Sequence, residues 1–174
     1  MAAATLFSKL GRIWRHQWMD EADVRRVLPD AAMERLAARV AASERRHSGE
    51  IRICVEAGLP LSYLRRNASA RERAVTLFGK LRVWDTEHNN GVLIYLLLAE
   101  HAIEIVADRG LNAHVTPDEW ARVVAGMRDA FRAGRYEEGL NAAIDAVDAA
   151  LARHFAIDAA AANPNELPDA PHLS

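Results

Sequence analysis

Residues 83–110 read VWDTEHNNGVLIYLLLAEHAIEIVADRG, and this stretch decides the fold. Val92 to Leu98 is an unbroken apolar run without polar alternation, the pattern of a central strand covered on both faces. It is too short to cross a bilayer, which takes about 20 residues. The segment from Ala102 to Asp108 follows after only Glu100 and His101, a connection that suits an antiparallel hairpin and nothing longer. Ahead of the apolar run, VWDTEHNNG is dense in polar side chains, and Asn90 and Gly91 are expected to supply positive φ in a tight turn.

Upstream, EIRICVEA sets Ile51, Ile53 and Val55 against Arg52, Cys54 and Glu56, the period of a strand with unequal faces. The segment between the two strands places Ala74, Val75, Phe78 and Leu81 at helix spacing and is long enough for a crossover back into the same sheet. A helix is expected from Asp30, capped by Asp30 itself, with Met33, Leu36, Ala37 and Val40 inward. Downstream, Thr116, Pro117 and Glu119 form a capping box ahead of Trp120, Val123, Val124, Met127 and Phe131 on one face. Gly134 ends that helix, and Tyr136, Leu140, Ala143, Ile144, Val147 and Leu151 define another. The expected fold is α/β: a three-layer α/β/α sandwich with a small mixed sheet, made of a parallel β-α-β unit and an antiparallel hairpin, closed by two C-terminal helices.

Three segments follow: an N-terminal amphipathic arm over 1–27, the α/β domain over 28–156, and a tail over 157–174. The tail lacks periodicity and gathers three prolines, so disorder is expected there. The arm places Leu6, Leu10, Ile13 and Trp14 on one helical face and carries Lys9, Arg12 and Arg15 with no acid before Asp20. Such a helix either packs on the body of the domain or serves as a membrane-surface or partner-binding arm.

At 174 residues and 51% hydrophobic content the chain supports one domain with a substantial core. A net charge of -2 and a pI near 6.4 give no bulk electrostatic case for nucleic acid. The single cysteine, Cys54, forms no internal disulfide and suits a reducing compartment, so a cytoplasmic location is expected. The N-terminal sequence does not read as a secretory signal. Inside an apolar strand Cys54 is expected to be a small buried hydrophobe, and His16, His101 and His154 to be solvated or capping.

If both parallel strands start at one sheet edge, the loops RHSGE, WDTEHNNG and ADRG meet there and gather His47, Glu50, Asp85, Glu87, Asn90, Asp108 and Arg109. Two readings stand. In one, Asp85, Glu87, Asn90 and Asp108 are oxygen ligands of a hard cation, calcium being the expected one. In the other, Asp85 and Thr86 cap the turn and Asp108 pairs with Arg109. The loop is not an EF-hand, since Asn90 stands at the turn glycine and Leu96 at the bidentate acid. Glycine-rich phosphate loops, zinc spacings and nucleophile elbows are absent.

NNGVLIYLLL followed by a strand and ADRGL resembles the TPM domain, and FRAGRYEEGL, residues 131–140, resembles its closing motif. The resemblance spans about residues 28–156 and implies an α/β/α sandwich. Members of that family are linked to acid phosphatase activity and to calcium at the sheet edge, and many are exported or membrane-anchored. This chain departs from the pattern: in RGLNAHVTPDEW, Asn112 stands for an acidic residue, Ala113 for a glycine, and Asp118 for a later aspartate. Fewer anionic ligands imply weaker cation affinity, and the lack of a signal sequence or apolar anchor points to a cytoplasmic, unanchored branch. With no nucleophile or base standing out, the expected function is a binding or assembly module that also binds a cation, calcium being the expected one, at the sheet edge. The alternative is a metal-assisted, acid phosphatase-like hydrolase with Asp85, Glu87 and Asp108 around the cation. Whether the chain is an enzyme stays open. A protein or membrane-protein partner is expected at the N-terminal arm.

Overall fold

The computed structural model describes residues 2–158 and 164–174, with side chains from Lys9 onward. Its centre is a four-stranded mixed sheet in the order β3-β2-β1-β4. Strand β1 (Ile51–Glu56) runs parallel to β2 (Val92–Leu97), with Ile51 opposite Val92, and β2 runs antiparallel to β3 (Ala102–Ala107). Every residue of β1 and β2 is buried, as the unbroken apolar run in β2 requires.

Two helical layers cover the faces. Ile51, Ile53, Val55, Val92, Ile94, Leu96, Ile103 and Ile105 pack with α2 (Glu21–Val27), α3 (Asp30–Ser43), α7 (Pro117–Arg132) and α8 (Tyr136–His154). Cys54, Leu93, Tyr95, Leu97 and Val106 pack on the other face with α4 (Leu61–Arg65) and α5 (Ala70–Lys80). This is the α/β/α sandwich that the strand and helix periods imply. Cys54 is fully buried, and that burial pushes its thiol up to about 12. The capping box of Thr116 and Glu119 forms, and Gly134 follows α7 with φ +74°.

Several local expectations are corrected. Asp30 does not cap α3; Pro29 occupies the cap position, and Asp30 is the first helical residue, bonded to Arg25. Val75 faces solvent rather than the sheet, because α5 directs Ala74 and Leu77 inward instead. The β2–β3 connection contains a 3₁₀ turn, Leu98–Glu100, and a left-handed His101 at φ 48°. The tail is the largest departure. Its described part, residues 164–174, packs on the sheet: β4 (His172–Leu173) adds to β1 in parallel, Leu167 is buried, and Arg52 donates to the carbonyls of Pro168 and Ala170. A two-residue strand leaves no period in the sequence.

The polar half of β1 explains why both of its faces can be closed. Glu56 accepts hydrogen bonds from the Arg73 guanidinium at 2.5–3.1 Å and from the Tyr95 hydroxyl at 2.6 Å, all buried. Burial, then the neighbouring Glu56 charge, raises the Tyr95 phenol far above its usual range, so it remains a donor. Arg73→Met should lower the unfolding free energy by about 3 kcal/mol or more, since Glu56 is left buried and unpaired. Tyr95→Phe should lower it by about 1.5 kcal/mol through loss of a bond to a charged acceptor. Urea unfolding midpoints at constant slope measure both, and neutral substitutions would show that water reaches Glu56.

Candidate functional site

The three loops do meet at one end of the sheet. Asn90 Nδ2 donates to Ser48 Oγ at 3.2 Å, joining the loop before β1 to the loop before β2. Gly110 N donates to the Asn89 carbonyl at 2.8 Å, and Arg109 grips Asn89 Oδ1 at 2.6 and 2.9 Å, joining the latter loop to the one after β3. The tail adds a fourth segment: Leu167 N donates to Glu50 Oε2 at 3.1 Å, and Glu166 accepts from Glu87 N at 3.0 Å.

The turn itself differs from expectation. Positive φ falls on Asn89, at 52°, and not on Asn90 or Gly91. Gly91 is required for space instead: a Cβ there would run into the Val83 carbonyl oxygen. Thr86 caps the turn as expected, its Oγ1 accepting from Asn90 N at 3.1 Å. Asp108 does not pair with the Arg109 side chain. Its Oδ1 caps the short helix α6 (Arg109–Asn112) by accepting from Arg109 N at 2.7 Å.

The four candidate ligands are treated unequally. Asp85 is exposed, with Arg82 4.0 Å away, and Glu87 is exposed with its backbone turned to Glu166. Asn90 is fully buried, and Asp108 half-buried. Asn90 Oδ1 and Asp108 Oδ2 are both buried and have no hydrogen-bond partner among the described residues. Among those residues no group of three or more His, Cys, Asp or Glu side chains is arranged to hold a metal ion. Asn90 lies outside that residue set, so the two oxygens remain the feature of this edge to be explained.

Behind the loops sits a buried acidic cluster in which Glu44 and Asp148, which sequence reasoning missed, join the expected His47 and Glu50. Glu44 Oε1 accepts from Ile51 N at 2.9 Å, and burial, reinforced by the nearby Glu50 charge, pushes the Glu44 carboxyl up to about 8. Burial also raises Glu50. His47 is buried, with Nδ1 3.0 Å from the Gly49 carbonyl and Nε2 3.4 Å from Asp148 Oδ1; burial lowers its pKa, with Asp148 opposing. The only sequence signal was the density of acids around β1, which on an exposed helix would mean nothing.

The arm shows a second unanticipated arrangement. Helix α1 (Ala2–Trp18) is docked on the body, but by its polar side. Arg12 reaches Glu100 and the Ala68 carbonyl, both at 2.7 Å, and His16 Nδ1 accepts from Leu59 N at 2.9 Å while its Nε2 lies 3.0 Å from Glu100. His16 is therefore buried, not solvated. Gly58 makes this possible, since a Cβ would strike the His16 carbonyl. Ile13 is partly buried against the body. Leu10, Trp14 and Trp18 point away, 54%, 64% and 71% exposed, with the two indoles 5.3 Å apart. The side chain of Leu6 lies outside the described residues.

The acidic cluster predicts a pH dependence of definite sign. A carboxyl raised from an ordinary 4.5 to about 8 keeps a proton in the native state that the unfolded chain has lost. The stability it contributes is complete below pH 4.5 and falls as pH rises toward 8. Unfolding midpoints should therefore drop between about pH 5 and pH 8, and Glu44→Gln should flatten most of that slope. An unchanged slope in the variant would mean that Glu44 is ionised in the native state.

The TPM domain family profile matches residues 22–150 of the chain. The NMR structure of BA42 protein from the psychrophilic bacterium Bizionia argentinensis superposes with a TM-score of 0.72 at 26% identity, covering 84% of this chain and 95% of that one. The solution NMR structure of the N-terminal domain of a P. gingivalis protein shares the fold with a TM-score of 0.62 at 22% identity, covering 76% and 83%. No curated protein matches the chain. With the family profile matching most of its length and the fold shared with these structures, the chain belongs to the TPM domain family.

Proposed function

We propose that the chain is a non-catalytic binding module that docks through the outward face of α1 onto an anionic membrane surface. The observation that supports this most is the reversed seating of α1: its polar residues are spent on the body, and its large apolar residues face out. Burying each such side chain is worth about 1.5–3 kcal/mol, so leaving three exposed on one face is a substantial unmet gain. Tryptophan is the side chain best suited to the headgroup layer, and Lys9 and Arg15 are exposed on the same helix, with no acid between residues 1 and 19. Self-pairing of α1 would set like charges together, which disfavours a second copy as the occupant. No helix among the described residues is long and apolar enough to cross a membrane, so the contact would be tangential.

A second reading concerns the sheet edge. Asn90 Oδ1 and Asp108 Oδ2 are oxygen acceptors of the kind a calcium ion takes, and a cation there would relieve their burial without partners. Asp85 and Glu87 would complete the set only by swinging in from solvent. A metal-assisted, phosphatase-like activity rests on the same cation and stands or falls with it.

The membrane reading is measured by co-sedimentation with phosphatidylcholine vesicles that contain or lack phosphatidylglycerol. Binding should need the anionic lipid and weaken with salt, and Trp14→Ala with Trp18→Ala should reduce it at least about tenfold while the unfolding midpoint stays in place. Absence of vesicle binding, or a dimer in sedimentation equilibrium that the same substitutions dissolve, would overturn it. For the sheet edge, millimolar calcium should raise Tm in the wild type and not in Asp108→Asn. No calcium effect on the wild type rules the cation reading out.

A further inference from the structure

The open edge of β3 is unusual in what it leaves unsatisfied. Asp108 N donates to the Gly91 carbonyl, and continuing the β2–β3 register makes Leu93/Val106, Tyr95/Glu104 and Leu97/Ala102 the hydrogen-bonded pairs. The intervening Ile103, Ile105 and Ala107 therefore turn their N–H and C=O groups outward, away from β2. Two of those carbonyls are already taken from within the chain: Arg71 of α5 donates to Ile105 O, and Asn112 Nδ2 donates to Ala107 O at 2.7 Å. The outward N–H groups of the same three residues find no acceptor among the described residues.

A trench runs along this edge against α7. It consists of two adjoining cavities of about 370 and 600 Å³ that share Glu104, Val124 and Arg128. Its acids are neutralised: Glu100 holds Arg12 at 2.7 Å, and Glu104 has Arg71 at 3.7 Å. Its remaining cations are not: Arg128 and Arg132, one helical turn apart on α7, have no ion-pair partner among the described residues. Trp120, on the same wall, has a buried indole N–H without an acceptor among them. Apart from the Ile103 carbonyl, each of these open groups is a donor or a cation, beside an apolar floor of Ile105, Ala107 and Val124.

We infer that this trench is a binding site for a small organic anion with at least two negatively charged oxygen groups, held by Arg128, Arg132 and the free amides of β3. The capped carbonyls argue against an added peptide strand, which needs acceptors as well as donors along the edge. A multivalent oxyanion needs only donors, and the two arginines offer it fork geometry one helical turn apart. The size falls within the range of small-molecule sites. This inference is independent of the membrane docking of α1: Arg12 of that helix holds Glu100 at one end of the trench, but Leu10, Trp14 and Trp18, the proposed docking residues, line none of it.

The test is a titration of the ¹⁵N-labelled full chain with citrate and, separately, with inorganic phosphate, at ionic strength held constant with sodium chloride. Saturable shifts should appear at the amides of Ile103, Ile105 and Ala107 and at the Trp120 indole N–H. Arg128→Gln with Arg132→Gln should weaken binding at least about tenfold while leaving the rest of the spectrum in place. Arg122→Gln, on the same helix but outside the trench, should bind as the wild type does. Saturation by either probe with this signature supports the site, and the tighter of the two identifies the favoured headgroup. Shifts spread over all surface arginines, equal weakening in Arg122→Gln, or no saturable change up to millimolar probe would overturn it.

Discussion

Strand β2 has no face that tolerates water, and the rest of the architecture answers to that constraint. A strand apolar on both sides needs neighbours on both edges and helices on both faces. Pairing with β1 in parallel supplies one edge and demands a crossover long enough to hold α4 and α5, which become one covering layer. Pairing with β3 through a short turn supplies the other edge. The second layer follows from α3, α7 and α8, whose apolar stripes have nowhere else to go. Because the parallel pair starts at one edge and the hairpin returns there, the polar loops meet at that edge as a consequence of β2's burial.

Burying β1 on both sides sets a harder problem, because alternate residues on one of its faces include Arg52 and Glu56. The solution is full pairing in place of apolar substitution. Glu56 is satisfied by Arg73 and Tyr95 and Arg52 by tail carbonyls, so the charges specify which segments may cover them. That explains why the tail is ordered where it touches the sheet despite a composition that reads as disordered. Its prolines leave carbonyls free for Arg52, and Leu167 fills an apolar position beside Leu93 and Tyr95.

Among the described residues three places are chemically unfinished: the outward face of α1, the donors along β3, and the two buried oxygens of Asn90 and Asp108. Each has a different preferred occupant, because each lacks something different. The first lacks apolar contact, the second lacks acceptors, and the third lacks donors or a cation.

Much of this was legible without coordinates. The two-sided strand, the alternating strand, the hairpin and the Thr116 capping box all rest on local periodicity or local hydrogen bonding, which short segments express by themselves. So does the convergence of the loops, which needs only strand directions. What the sequence could not reveal depends on contacts between segments far apart in the chain. Whether α1 turns Trp14 inward or outward was decided by Glu100 and Leu59 N, which capture Arg12 and His16. That Asp108 Oδ1 caps a helix instead of pairing with the Arg109 side chain was decided by the turn that α6 makes after β3. The order of residues 164–174 was decided by the β1 edge and by Arg52. Periodicity records which face of an element is apolar, but the polar groups that hold an element in place can come from anywhere in the chain, and only the assembled structure brings them together.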